Sequence, residues 1–137
     1  MPFEVKWYVE GRVSTARDWG EFTLEEMKAS NVLSLEHIRG GKAPVHLLID
    51  TRAINTLPTS FIPMLKEIEV FRQEPNMGWT VMVTNSSLLQ FFGVLSSNQL
   101  KMPFRAVGNY EEANALLKRV DPTLADLLPE KWLVEPI

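Results

Sequence analysis

Val45-His46-Leu47-Leu48-Ile49-Asp50 decides the reading of this chain: an apolar run interrupted only by a histidine and closed by a carboxylate. A strand with one wet face alternates apolar and polar residues, and this one does not, so it is expected at the centre of a sheet, covered on both sides. On its C-terminal side, Thr51 to Pro58 is rich in turn residues and is expected to be a loop. Thr59 or Ser60 then opens a helix carrying Phe61, Leu65, Ile68 and Phe71. Pro63 falls in the first turn of that helix, where its missing N–H has no partner to lose. Beyond it come a second β-rich run from Trp79 to Thr84 and a helix opened by Ser86 or Ser87. A strand from Phe104 to Val107, a helix from Glu111 to Val120 built on Ala113, Leu116 and Leu117, and a final turn from Pro122 to Leu128 follow. On the N-terminal side, Thr23 and Glu26 form a capping box for a helix running to Arg39. Gly40-Gly41 is expected to end it with a positive φ. Glu4–Val9 and Val13–Ala16 pair as a hairpin about Glu10-Gly11-Arg12. After the hairpin, strands and helices alternate strictly. The fold class is therefore α/β: a mixed sheet of about five strands with an N-terminal hairpin, right-handed crossovers and about four packed helices.

Composition narrows the chemistry. A length of 137 residues suits one domain, read as residues 1–128 with a tail over 129–137. Trp132, Leu133 and Val134 in that tail either pin it to the surface or dock on a second copy, which makes a homodimer an expectation. With no cysteine, disulfides, thiol catalysis and metal–thiolate sites are excluded. A net charge of −3 leaves no basic field for nucleic acid. No apolar stretch reaches the roughly 18 residues of a membrane span, and no charged leader precedes an apolar core at the N-terminus, so the expected location is cytoplasmic. His37 and His46 lack companion ligands at metal spacing, and no metal or cofactor is expected. Arg39-Gly-Gly-Lys42 follows a helix and reads as its stop rather than as a phosphate loop. Glu25-Glu26 and Glu111-Glu112 sit at helix starts, where acids favour the macrodipole. No catalytic constellation emerges, and the expectation is a protein that is not an enzyme.

One segment carries candidate chemistry. From Asp50 to Ser60 the chain leaves a central strand and enters a helix, the place where α/β proteins usually build sites. Asp50, Arg52, Thr56, Thr59, Ser60 and Phe61 are the candidate binding residues. A helix N-terminus there favours an anion or a phosphorylated hydroxyl on Ser60 or Thr59. The plainer alternative is that Asp50 accepts loop N–H bonds while Thr59 or Ser60 caps the helix.

Val45 to Asp50, the loop into Leu57-Pro-Thr-Ser60 and the helix to Arg72 together resemble the STAS and SpoIIAA-like group, the sulphate-transporter and anti-sigma-factor-antagonist domains. The hairpin near Gly11-Arg-Val, Thr23-Leu-Glu-Glu, Gly78-Trp-Thr-Val and Phe104-Arg-Ala-Val with Tyr110-Glu-Glu-Ala113 are similar to the STAS/Sec14-like branch of small bacterial proteins. The resemblance places Ser60 opposite the family's phospho-acceptor. Pro58 stands where the motif has its acidic residue and Phe61 where it has glycine, so any phosphoswitch at Thr59/Ser60 is degenerate. What the resemblance implies is a bacterial, cytoplasmic, non-catalytic regulatory or protein-interaction module with a protein partner. Its Sec14 side implies the alternative, a small-molecule or lipid-binding domain, to which the large apolar residues Phe61, Phe71, Phe91, Phe92 and Leu95 also point.

Overall fold

The computed structural model describes residues 2–57 and 60–129. Thr59 and the tail from residue 130 onward therefore lie outside the described residues. The elements are β1 (Phe3–Val9), β2 (Val13–Glu21), α1 (Leu24–Gly40), β3 (Val45–Thr56), α2 (Phe61–Glu69), β4 (Met77–Val83), α3 (Ser87–Leu100), β5 (Phe104–Val107) and α4 (Tyr110–Val120), with a 3-10 turn over Pro122–Leu124. The five strands lie in the order β1-β2-β3-β4-β5. β1 and β2 are antiparallel; every later pairing is parallel. The α/β reading and its central strand thus hold.

Local chemistry explains most boundaries. The Thr23 side chain accepts from the Glu26 N–H at 3.3 Å while the Glu26 carboxylate accepts from the Thr23 N–H at 3.2 Å, a complete capping box. Ser86 and Asn109 cap α3 and α4 in the same way, accepting from the Leu89 and Glu112 N–H groups.

Two expectations are corrected. The segment after Asp50 is not a loop: β3 continues to Thr56 because β2 also runs on past Ala16, to Glu21. Arg17 pairs with Asp50, Trp19 with Ala53, Gly20 with Ile54 and Glu21 with Thr56. Cross-strand pairing thus overrides the turn propensity of the local sequence. Irregularities at Arg17/Trp19 and Gly20/Glu21, with Gly20 at φ 65°, absorb the mismatch. Gly41 is also not a left-handed cap, having an extended φ of −88°. Glycine is needed there for space, since a Cβ would lie 2.7 Å from Val45 Cγ2 and 2.8 Å from the Gly11 carbonyl oxygen. The helix end is closed instead by Asn76, whose amide donates to the Ile38 carbonyl at 3.1 Å.

The sheet separates two cores. On one face, α4 and the 3-10 turn cover Val13, Leu48, Val81 and Val83 with Leu116, Leu117 and Leu124. On the other, α1 and the segment after α2 bring Ile38 and Phe71 against Val45 and Leu47. Full burial of side chains such as Leu48 and Leu117 stabilises the fold by about 1.5–3 kcal/mol each.

Candidate functional site

The face under α1, α2 and α3 is not filled. A cavity of about 120 Å³ lies between it and the helices, comparable with the roughly 150 Å³ apolar cavities that admit benzene. Its origin is small side chains where a packed core carries large ones. Ala16 on the sheet, Ser30 and Ser34 on α1, and Gly93 and Ser96 on α3 all line it and are all buried. Gly93 also lets α3 lie close to β5, because a Cβ there would stand 2.1 Å from the Phe104 ring. Ile49, Met64, Met82, Leu89 and Phe92 are among the apolar side chains of its wall.

Asp18 is the exception in that wall. It follows Ser14 and Ala16 at the period of two that puts a strand's side chains on one face, and it is only 5% exposed. Among the described residues its Oδ1 has no hydrogen-bond partner. Burial, with a smaller contribution from the like charge of Asp50, pushes its carboxyl up to about 7. It is the one ionisable side chain among the described residues lining the cavity.

The sequence-derived candidates divide between the two faces. Asp50 and Arg52 come together on the α4 face. The Arg52 Nε and a terminal guanidinium nitrogen donate to the two Asp50 oxygens at 3.0 Å each, and the Arg52 backbone N–H adds a bond of 3.1 Å. Tyr110 OH donates to Asp50 at 3.1 Å, and the guanidinium sits 5.3 Å from the Tyr110 ring centroid. Burial raises the Asp50 pKa, but the Arg52 and Tyr110 bonds outweigh it and hold the carboxyl below its ordinary value. Thr56 ends β3, its carbonyl accepting from the Phe22 N–H at 2.9 Å. Ser60 occupies the N-cap position of α2, is exposed, and makes no side-chain cap bond. Phe61 packs edge-on against Phe92, with centroids 5.1 Å apart, and so belongs to the cavity side.

The comparison with solved structures supplies the decisive observation. A crystal structure of an uncharacterized protein of the DUF3478 family from Shewanella loihica PV-4, described as having a SpoIIAA-like fold, superposes with a TM-score of 0.61, covering 84% of this chain and 91% of that one. The fold is SpoIIAA-like. At 14% identity the likeness carries the fold and leaves the chemistry to this chain's own residues. No protein-family model matches the chain, and no curated protein does.

Within the SpoIIAA-like frame both histidines are engaged in the fold. His46 Nδ1 accepts from the Trp79 N–H at 2.9 Å, which leaves the proton on Nε2 to donate to Asp121 at 2.8 Å. Arg12 donates to the same carboxylate at 2.7 Å. His37 bonds Ser14 Oγ at 2.7 Å and stacks on Trp7 at 4.1 Å. Among the described residues no group of three acids or histidines is placed to hold a metal ion, and no helix is long and apolar enough to cross a membrane. Sequence reasoning misses Asp18 because local signals end the second strand at Ala16. An acid two places further, in phase with Ser14 and Ala16, is the signal that finds it.

Proposed function

We propose that the chain is a non-catalytic binding domain that holds a small apolar molecule in the cavity between the sheet and α1–α3. The cavity carries the reading: it is ring-sized, walled by apolar side chains, and left open by small residues. Toluene titrated into the methyl-labelled chain tests it. Binding shifts the methyl signals of Met64, Met82 and Leu89 and spares Leu48 on the opposite face. Filling the space with Ala16→Leu abolishes the response. Cavity methyls unmoved at saturating toluene would refute the proposal.

A second reading has its own support. The exposed Ser60 hydroxyl at the start of α2, free of any capping bond, suits a phospho-acceptor in a regulatory module that binds a protein partner. Intact-mass measurement on protein from its native cells tests it: a phosphoform lost in Ser60→Ala supports it, and its absence under every growth condition rejects it.

A further inference from the structure

The cavity reading leaves Asp18 unexplained. A buried polar atom without a partner costs free energy, and native proteins keep few of them. Here the cost is compounded, because no cation among the described residues answers Asp18. Arg17, next in sequence, lies on the other face of β2, where it acts on Tyr110. Asp50, across the pairing with β3, is itself an acid and is already held by Arg52 and Tyr110. α1 contributes Ser30, Asn31 and Ser34 to the cavity, and α2 and α3 contribute no charged side chain. Phe3, opposite Asp18 on β1, is apolar.

Resting on the proposed function above, we propose that the occupant of the cavity is a small apolar amine, its body about the size of one aromatic ring and its ammonium group donating to the Asp18 carboxylate. The ammonium supplies the cation that the protein withholds, and in a site of low dielectric that pairing is strong. Ser30, Asn31 and Ser34 are polar side chains of the same cavity, able to take up the remaining ammonium protons. Pairing requires the carboxylate form, so the raised pKa makes affinity depend on pH. As the pH falls from 8 to 6 through a value of about 7, the ionised fraction and the affinity drop by about tenfold.

The test titrates the intact, isotope-labelled chain with benzylamine, benzyl alcohol, toluene and benzoate by NMR. The expected order at pH 8 has benzylamine binding at least about tenfold more tightly than benzyl alcohol or toluene, with benzoate weakest. Asp18→Asn removes the preference for benzylamine over toluene. In the wild-type chain, benzylamine lowers the titration midpoint of the Asp18 carboxyl carbon, a measurement that stands even if the variant fails to fold. Toluene binding with no advantage for benzylamine, an advantage that survives Asp18→Asn, or a carboxyl midpoint unmoved by benzylamine overturns the amine while sparing the cavity. Failure of toluene itself to bind overturns both.

Discussion

The two faces of one sheet have been given opposite treatments. Under α4, the buried carboxylates are tied to donors. Arg12, His46 and Thr123 converge on Asp121; Arg52 and Tyr110 close on Asp50; and Tyr8 OH donates to Asn114 at 2.7 Å. Under α1–α3, a carboxyl of similar exposure lines the cavity, and among the described residues its Oδ1 has no donor. Both carboxyl settings are largely withdrawn from water, yet among the described residues only one is compensated by donors. The compensated face keeps the fold; the uncompensated one is where an external molecule has something to add.

The largest expected effect comes from breaking the compensated face. Asp121→Ala strands Arg12 and His46 beneath the 3-10 turn and is expected to lower stability in urea by about 3 kcal/mol or more. Asp18 sharpens the contrast through pH. Its folded pKa of about 7 lies above the ordinary 3.8, so its contribution to stability is complete below the lower value and lost as the pH rises through the upper one. That interval, at about 1.36 kcal/mol per pH unit, amounts to roughly 4 kcal/mol at most. Asp50 and Asp121 are depressed in the folded state, so theirs is present above the ordinary carboxylate value and lost in acid. Asp18→Asn is therefore expected to be more stable than wild type at pH 8, with the gap closing toward pH 5 in parallel urea melts. A gap that did not change with pH would break the comparison. Next in size is a matched pair of insertions. Ala113→Leu, in the closed packing under α4, is expected to cost about 1–3 kcal/mol, whereas Ala16→Leu enters the cavity at little cost; equal losses in thermal melts would mean the two faces are equally packed. The smallest effect is expected from Tyr8→Phe, which leaves Asn114 short of a donor and lowers stability by about 1–2 kcal/mol.

What was legible in the sequence follows the range of the interactions involved. Thr23 with Glu26, and Ser86, are local devices, and they mark their helices correctly. The central strand announces itself through unbroken apolarity from Val45 to Ile49. Asp50 and Arg52, two apart on one face of β3, are a pair that strand periodicity brings together once β3 is known to continue. Sequence alone hides this, because the residues after Asp50 favour turns and only their pairing with β2 holds them extended. Gly41 is a glycine for a reason that involves Gly11 and Val45, distant in sequence or across a turn, and local rules assign it the wrong task. The cavity lies furthest from view. Serine on a helix and alanine on a strand are unremarkable singly, and space arises only where three helices bring such residues to the same place.

The strand order in space is also the order along the chain. No strand has to be inserted between two already paired, so the sheet can be assembled by addition at one growing edge. Among the described residues the hairpin of β1 and β2 is the only pairing made through a short turn, and each later strand waits for one crossover to bring it beside its predecessor. Growth from the N-terminus meets an available partner at every step, and α4, the last helix, arrives when every strand it covers is already laid down.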